Sequence, residues 1–257
     1  MERITKDITV ILNLYRREDY LKEQIKAIRD QSVQPKEIWL WINAHEDNKD
    51  FNPDNYDIDK VFTNDHNWKY YGRFAAALLA DTKYIAMFDD DTIPASDWFL
   101  NCMNCIQGEC SGILGGAGVK LQSPYYFQHE RVGWNGEPPN EEAEEVDLVG
   151  HAWFFEREWL KYLWLEKPFT WDNGEDIQFG YLAKRYGGIK TFVPPHPSDM
   201  PELHSSVKGW DYGTDNKASS NGSLMPIPQF YEQRDKCVKH GLDNGWETVN
   251  DIAKLRN

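Results

Sequence analysis

Along the first hundred residues, apolar side chains come either in short unbroken runs or at helical intervals. Ile8–Leu14 is a run rich in β-branched residues, which predicts a buried strand. Glu18–Asp30 carries Leu21, Ile25 and Ile28 at helical spacing. Pro35 breaks the chain before Glu37–Asn43, a second strand rich in Ile and Trp. A polar loop around Asn48–Asp57 leads to Lys60–Thr63, a short third strand. Lys69–Ala80 follows as a helix with Phe74, Leu78 and Leu79 facing inward. Lys83–Phe88 is a fourth strand, and it ends abruptly in Asp89-Asp90-Asp91. Such alternation predicts an α/β fold with a mostly parallel central sheet and helices on both faces.

The second half is less regular. Gly112–Leu121 reads as a glycine-rich strand, and Gln122–Glu145, polar, aromatic and acidic, as a long loop or irregular hairpin. Val146–Phe155 is a strand and Arg157–Leu165 a short helix. Glu175–Tyr186 is a helix closed by Gly187-Gly188. Ile189–Val193 is a further strand, stopped by Pro194-Pro195, and Pro228–Gly245 is a terminal helix. With no internal repeat or low-complexity linker, one domain is expected over 1–225, followed by a helical extension over 226–257.

Composition narrows the function. A chain of 257 residues, 40% hydrophobic and 14% aromatic, can bury one full core. Its 28 basic residues against 42 acidic give a formal charge of -14. That argues against nucleic acid as the partner, because phosphate neutralisation needs a basic face. A nucleotide can still bind through a metal and one or two local arginines. Met1–Asp7 is charged and lacks the apolar core of a signal peptide. The longest apolar stretches, such as Phe74–Ala80, are too short to span a membrane, so a soluble, cytoplasmic protein is expected. Cys102, Cys105, Cys110 and Cys237 are too few for a disulfide scaffold and fit a reducing compartment. Cys102 shares an apolar helix face with Phe99, Met103 and Ile106, so buried thiols are favoured there over a zinc site.

The chemistry concentrates at the end of the fourth strand. In open α/β sheets, ligands sit beyond the carboxyl ends of the strands. Three adjacent carboxylates repel one another, so a cation or hydrogen-bond donors must offset them. Along an extended segment alternate residues face the same way, which lets Asp89 and Asp91 share a ligand while Asp90 turns elsewhere. Hard oxygen ligands suit Mg²⁺ or Mn²⁺ bridging a substrate's phosphates. Glu175-Asp176 opens a helix, where ionised carboxylates are favoured. Arg73, read as a surface helix arginine, is a candidate for phosphate or the donor sugar. Tyr15 and Leu14 close the first strand, Asn43 the second, and Asp65 lies beyond the third, all placed to meet base and ribose.

Ile8–Leu14 with Tyr15-Arg16-Arg17, the helix ending Asp30-Gln31-Ser32, and Pro35-Lys36-Glu37-Ile38 resemble the opening of family 2-type GT-A glycosyltransferases. Phe88–Pro94 is similar to their DxD segment. Leu148–Trp153 and Trp171–Asp176 resemble their acceptor-side glycine loop and "ED" motif. The resemblance spans roughly residues 8 to 205, and Tyr71–Ala77 is similar to a run in N-terminal glycosyltransferase domains encoded by chlorella viruses. It implies a metal-dependent transfer, with inversion, from a UDP-linked hexose or deoxyhexose (glucose or rhamnose among them) to a glycan or glycoprotein hydroxyl, in the host-cell cytoplasm if the source is viral. Residues 1–110 would be the nucleotide-binding half and 111–225 the acceptor-binding half. Asp89 and Asp90 would meet the donor, and Asp91, Asp89 and His204 would hold the metal. Asp176 would act as base with Glu175 orienting a substrate, and Gly150, His151, Trp153 and Trp171 would line the acceptor site. Two alternatives compete with this reading. A nucleotidyltransferase usually carries a glycine-rich loop after the first strand, which Leu14–Glu18 lacks. A carbohydrate-binding module would leave Glu175-Asp176 without a purpose.

Overall fold

The computed structural model describes residues 4–5, 7–134, 136, 139–212, 217, 222 and 225–252. In chain order the elements are β1 (Ile4–Thr5), β2 (Ile8–Leu14), α1 (Leu21–Arg29), β3 (Val33–Gln34), β4 (Glu37–Ile42), β5 (Lys60–Thr63), α2 (Tyr71–Ala77), β6 (Tyr84–Phe88) and α3 (Trp98–Gln107). There follow β7 (Gly112–Leu114), β8 (Ala117–Leu121), β9 (His129–Gly133), β10 (Glu144–Val146), β11 (Leu148–Gly150), β12 (Ala152–Glu156), α4 (Leu160–Leu163), α5 (Glu175–Gly187), β13 (Lys190–Val193), α6 (Gly209–Tyr212) and α7 (Ile227–Asp243).

Eight strands form one sheet in the order β10-β13-β7-β12-β6-β2-β4-β5, with only β10 and β12 opposed in direction to the rest. The mostly parallel sheet with flanking helices is the GT-A, Rossmann-like architecture. Parallel register aligns the carboxyl ends that matter: Leu14 pairs with Ile42, and Leu12 with Phe88. The residues after β2, β4 and β6 therefore emerge along one edge. The apolar runs of β2, β4 and β6 are buried on both faces, as crossover helices require.

Two segments expected as single strands are each divided between sheets. Gly112–Leu121 splits at Gly115-Gly116: β7 stays in the large sheet while β8 joins a three-stranded antiparallel sheet with β9 and β11. A Cβ on Gly116 would lie 2.4 Å from Ser205 Oγ, so only glycine passes this crossing. The return occurs between β11 and β12 at His151, whose φ is 66°. The long loop or irregular hairpin expected over Gln122–Glu145 contains β9 and the start of β10.

Helix α2 is shorter than its periodicity suggests. It ends at Ala77, so Leu78 and Leu79 are exposed, not inward, and Tyr71, Phe74, Ala76 and Ala77 supply its buried face. The cysteine reading holds for Cys102 and Cys237, which are buried thiols. It fails for Cys105 and Cys110, which form a disulfide: past α3 the chain doubles back, and the Cys110 N–H donates to the Cys105 carbonyl at 3.2 Å. A second apolar cluster joins α5, β8, β11 and α7 through Ile177, Tyr181, Leu121, Leu148 and Val238. Among the described residues no helix is long and apolar enough to cross a membrane.

Candidate active site

The three carboxylates after β6 occupy the sheet edge as expected, and the fold supplies two arginines to offset them. Gln24, buried on α1, donates its amide to the carbonyls of Asp89 (2.7 Å) and Thr92 (2.8 Å) and so fastens the acidic turn. Arg73 reaches Asp89 Oδ1 at 2.6 Å. Arg17 lies 3.2 Å from both Asp90 Oδ1 and Asp91 Oδ2, and also donates to the Tyr212 carbonyl at 3.2 Å. Burial pushes the Asp90 carboxyl up to about 7; Arg17 opposes this and the neighbouring aspartates add to it. The role of Arg73 changes in detail. It is 3% exposed, not a surface arginine, and its guanidinium stacks on Trp153 at 4.5 Å.

The histidine brought to these carboxylates is His151. Its left-handed backbone lets its carbonyl accept the Asp89 N–H at 2.9 Å, while Nδ1 stands 3.6 Å from Asp89 Oδ2. A non-glycine residue held in this region costs free energy that the surroundings must offset, and such residues cluster at functional sites. Asp89, Asp91 and His151 each offer a ligand atom, all within 4.8 Å of one another. Two carboxylates and an imidazole form a donor set suited to Mn²⁺, and to Mg²⁺ with retained waters. His204 is engaged elsewhere: its Nε2 bonds the Pro197 carbonyl at 2.8 Å and its ring packs 5.5 Å from His196.

Glu175 and Asp176 begin α5 directly after Gly174, whose φ of 84° makes the turn. Glu175 is 5% exposed and its Oε2 meets no partner. Burial pushes its carboxyl up to about 8, Asp176 adding to the rise while Arg73 and Arg234 oppose it. Arg73 thus feels both Asp89 and Glu175. Asp176 is held by Arg234 of α7 at 2.6 Å.

The profile of glycosyl transferase family 2 matches residues 9–164. The chain belongs to that family. Two solved structures share the fold of this family 2 chain. One is S. aureus TarS, with a TM-score of 0.50 and 18% identity over 74% of this chain and 35% of that one. The other is S. aureus TarS 1-349 in complex with UDP-GlcNAc, with a TM-score of 0.51 and 16% identity over 74% of this chain and 56% of that one. The chain therefore spans little more than half the length of the shorter relative. Comparison with curated proteins returns no match.

The remaining expected residues divide into supports and exposed faces. Leu14 is buried, and Tyr15 packs edge-on against His45 at 5.2 Å. Asn43 is buried, its Oδ1 accepting from Trp41 Nε1 and the Trp68 N–H at 3.0 Å each, so it braces the carboxyl end of β4 from beneath. Asp65 is exposed in the loop after β5. Trp153 is buried under Arg73, and Gly150 closes β11. Trp171 is 50% exposed and packs edge-on against Tyr71 at 5.2 Å, leaving a free aromatic face. An ion pair between Lys69 and Asp172 ties its loop to the start of α2.

Sequence reasoning assigned no role to Gln24, Arg17 or Arg234. The first two are polar residues on otherwise ordinary segments, with no signal for their partners. Arg234 did carry one: it interrupts the apolar stripe formed by Cys237, Val238, Gly241 and Leu242.

Proposed function

We propose that the chain transfers a sugar from a UDP-linked hexose or deoxyhexose to a hydroxyl of a glycan or glycoprotein acceptor, with inversion. The observation that carries this reading is Arg73 at the sheet edge, paired with Asp89 and within electrostatic reach of Glu175. In this reading the acidic turn supplies the cation site and Glu175-Asp176 the base, the two groups that attack on a nucleotide-sugar requires. The binding of UDP-GlcNAc by TarS 1-349, which shares the fold, supports that choice of nucleotide.

Asp89, Asp91 and His151 would hold Mn²⁺ or Mg²⁺, which supplies charge to the leaving diphosphate. Arg17 and Arg73 keep Asp91 and Asp89 oriented and limit their mutual repulsion. Asp176 takes the acceptor proton. Its Oδ1 accepts the Ile177 N–H at 2.8 Å and its Oδ2 pairs with Arg234, yet a carboxylate has lone pairs to spare, and its side chain is 12% exposed. Glu175, kept largely protonated by burial, is a hydroxyl donor for a substrate oxygen. Residues 1–110 bind nucleotide and 111–225 face the acceptor, where Trp171 offers an aromatic platform for a sugar ring.

The test is UDP release from UDP-glucose, UDP-rhamnose and UDP-GlcNAc, with Mn²⁺ and with EDTA, alongside calorimetric titration of UDP. Metal-dependent UDP release from one donor is expected, and NMR of the transfer product should show inverted configuration. A protein that binds glycans but ignores UDP in the presence of Mn²⁺ would be a carbohydrate-binding module.

A further inference from the structure

Helix α7 buries a guanidinium where its pattern calls for an apolar side chain. Arg234 shares its face with Cys237, Val238 and Leu242 and is itself buried. An isolated charge there is costly unless paired and hydrogen-bonded. Its polar partners lie at the start of α5, and its rings are Tyr126 in the loop after β8 and Phe230 of α7 itself. Nη2 is 2.6 Å from Asp176 Oδ2, Nη1 donates to Asn173 Oδ1 at 3.0 Å, and the guanidinium stacks 3.9 Å from the Tyr126 ring centroid. Burial works against the Arg234 charge, but Asp176, Tyr126 and Glu175 together more than offset it, so the guanidinium stays charged.

The backbone confirms that this contact is built in. A Cβ on Gly174 would stand 2.7 Å from Cys237 Sγ, so α7 packs directly against the turn that launches Glu175 and Asp176. Asn173 also donates to the Phe230 carbonyl at 3.3 Å, and Asp235 accepts the Tyr126 N–H at 2.6 Å. Loop, turn and helix thus form one clamp around a single carboxylate.

We propose that Arg234 is a positioning residue for transfer, fixing the direction in which the Asp176 carboxylate faces the acceptor's hydroxyl. This rests on Asp176 being the base. The planar fork spans Asp176 and Asn173 at once, which fixes the carboxylate's direction. The other groups that face Asp176 are Glu175 on α5, Tyr71 on α2, Cys237 on α7 and Tyr126 after β8. Of these none is cationic.

The experiment measures turnover of UDP-glucose and calorimetric UDP–Mn²⁺ affinity in the parent, Arg234→Gln and Arg234→Lys. Arg234→Gln should turn over at least roughly tenfold more slowly, with UDP–Mn²⁺ affinity within about twofold of the parent, and should recover in part on addition of millimolar guanidinium. Arg234→Lys should also turn over roughly tenfold more slowly, since an ammonium cannot hold both partners. Parental turnover in folded Arg234→Gln, or a loss that guanidinium does not relieve, overturns the proposal. If that variant does not fold, parental turnover in Arg234→Lys overturns it instead. Parental turnover in Asp176→Asn would refute the base assignment, a separate failure from that of Arg234.

Discussion

Replacing Glu175 by glutamine should change how stability depends on pH, and the structure sets both sign and size. The Glu175 carboxyl is buried, Oε2 has no partner, and burial lifts its titration from an ordinary 4.5 to about 8. Between those values the folded protein keeps a proton that the unfolded chain has released. Stability therefore falls as pH rises through this window, by about 1.4 kcal/mol per pH unit. Below the window both states are protonated and the residue contributes nothing; above it the penalty is complete. Glutamine has the same shape and no proton to lose. The stability of Glu175→Gln relative to the parent should thus be flat at acid pH, grow by about 3 kcal/mol by pH 7, and level off near pH 8. Asp90 and Asp147 are also raised, to about 7 and about 6, and His196 is lowered to about 4, but they are common to both proteins and cancel in the difference. Urea unfolding across this pH range gives the difference directly, provided the m value stays constant. A difference that does not vary with pH would mean that Glu175 is ionised in the fold, and the reasoning from burial would be wrong.

Asp176→Asn should lose about 10²–10⁴-fold in turnover while calorimetry shows UDP affinity little changed; unaltered turnover places the base elsewhere. Chelation should abolish UDP release, and His151→Ala or Asp91→Ala should weaken Mn²⁺ binding by at least roughly tenfold, read by electron paramagnetic resonance. His204→Ala should leave Mn²⁺ binding unchanged, and a loss there would return that histidine to the metal site. Arg73→Ala breaks a buried ion pair and should cost about 2–3 kcal/mol in urea unfolding, below the about 3–5 of a fully buried pair because Asp89 keeps 30% exposure. A stability loss under about 0.5 kcal/mol, the size expected of a surface substitution, would show that the guanidinium is solvated.

Much of the fold was legible because its signals are local. β2 and β5 have the bounds their apolar runs predict, and α5 begins at the acidic pair and ends at the Gly187-Gly188 cap. The acidic turn could be placed at a strand end because the run Ile85–Phe88 stops there without transition. The disulfide and the exposed Leu78 and Leu79 were not legible, since each depends on where a helix stops and the chain turns back.

By itself, the sequence determined the order of strands and helices, the glycosyltransferase resemblance and the residue types that carry the chemistry, because periodicity and turn residues act over a few positions. Tertiary structure alone decided which histidine meets the carboxylates. His151 and His204 lie 62 and 115 residues beyond Asp89, and nothing in either neighbourhood states which will arrive. The choice follows from pairing. β12 runs antiparallel to β6 with Ala152 opposite Phe88, so the residue before β12 must fall beside Asp89. The chain's return from the small sheet at His151 then turns that side chain toward the acidic turn. Arg17, Arg73 and Arg234 are placed in the same way: each is committed by packing between elements far apart in sequence, where burial without a carboxylate partner would be too costly to persist.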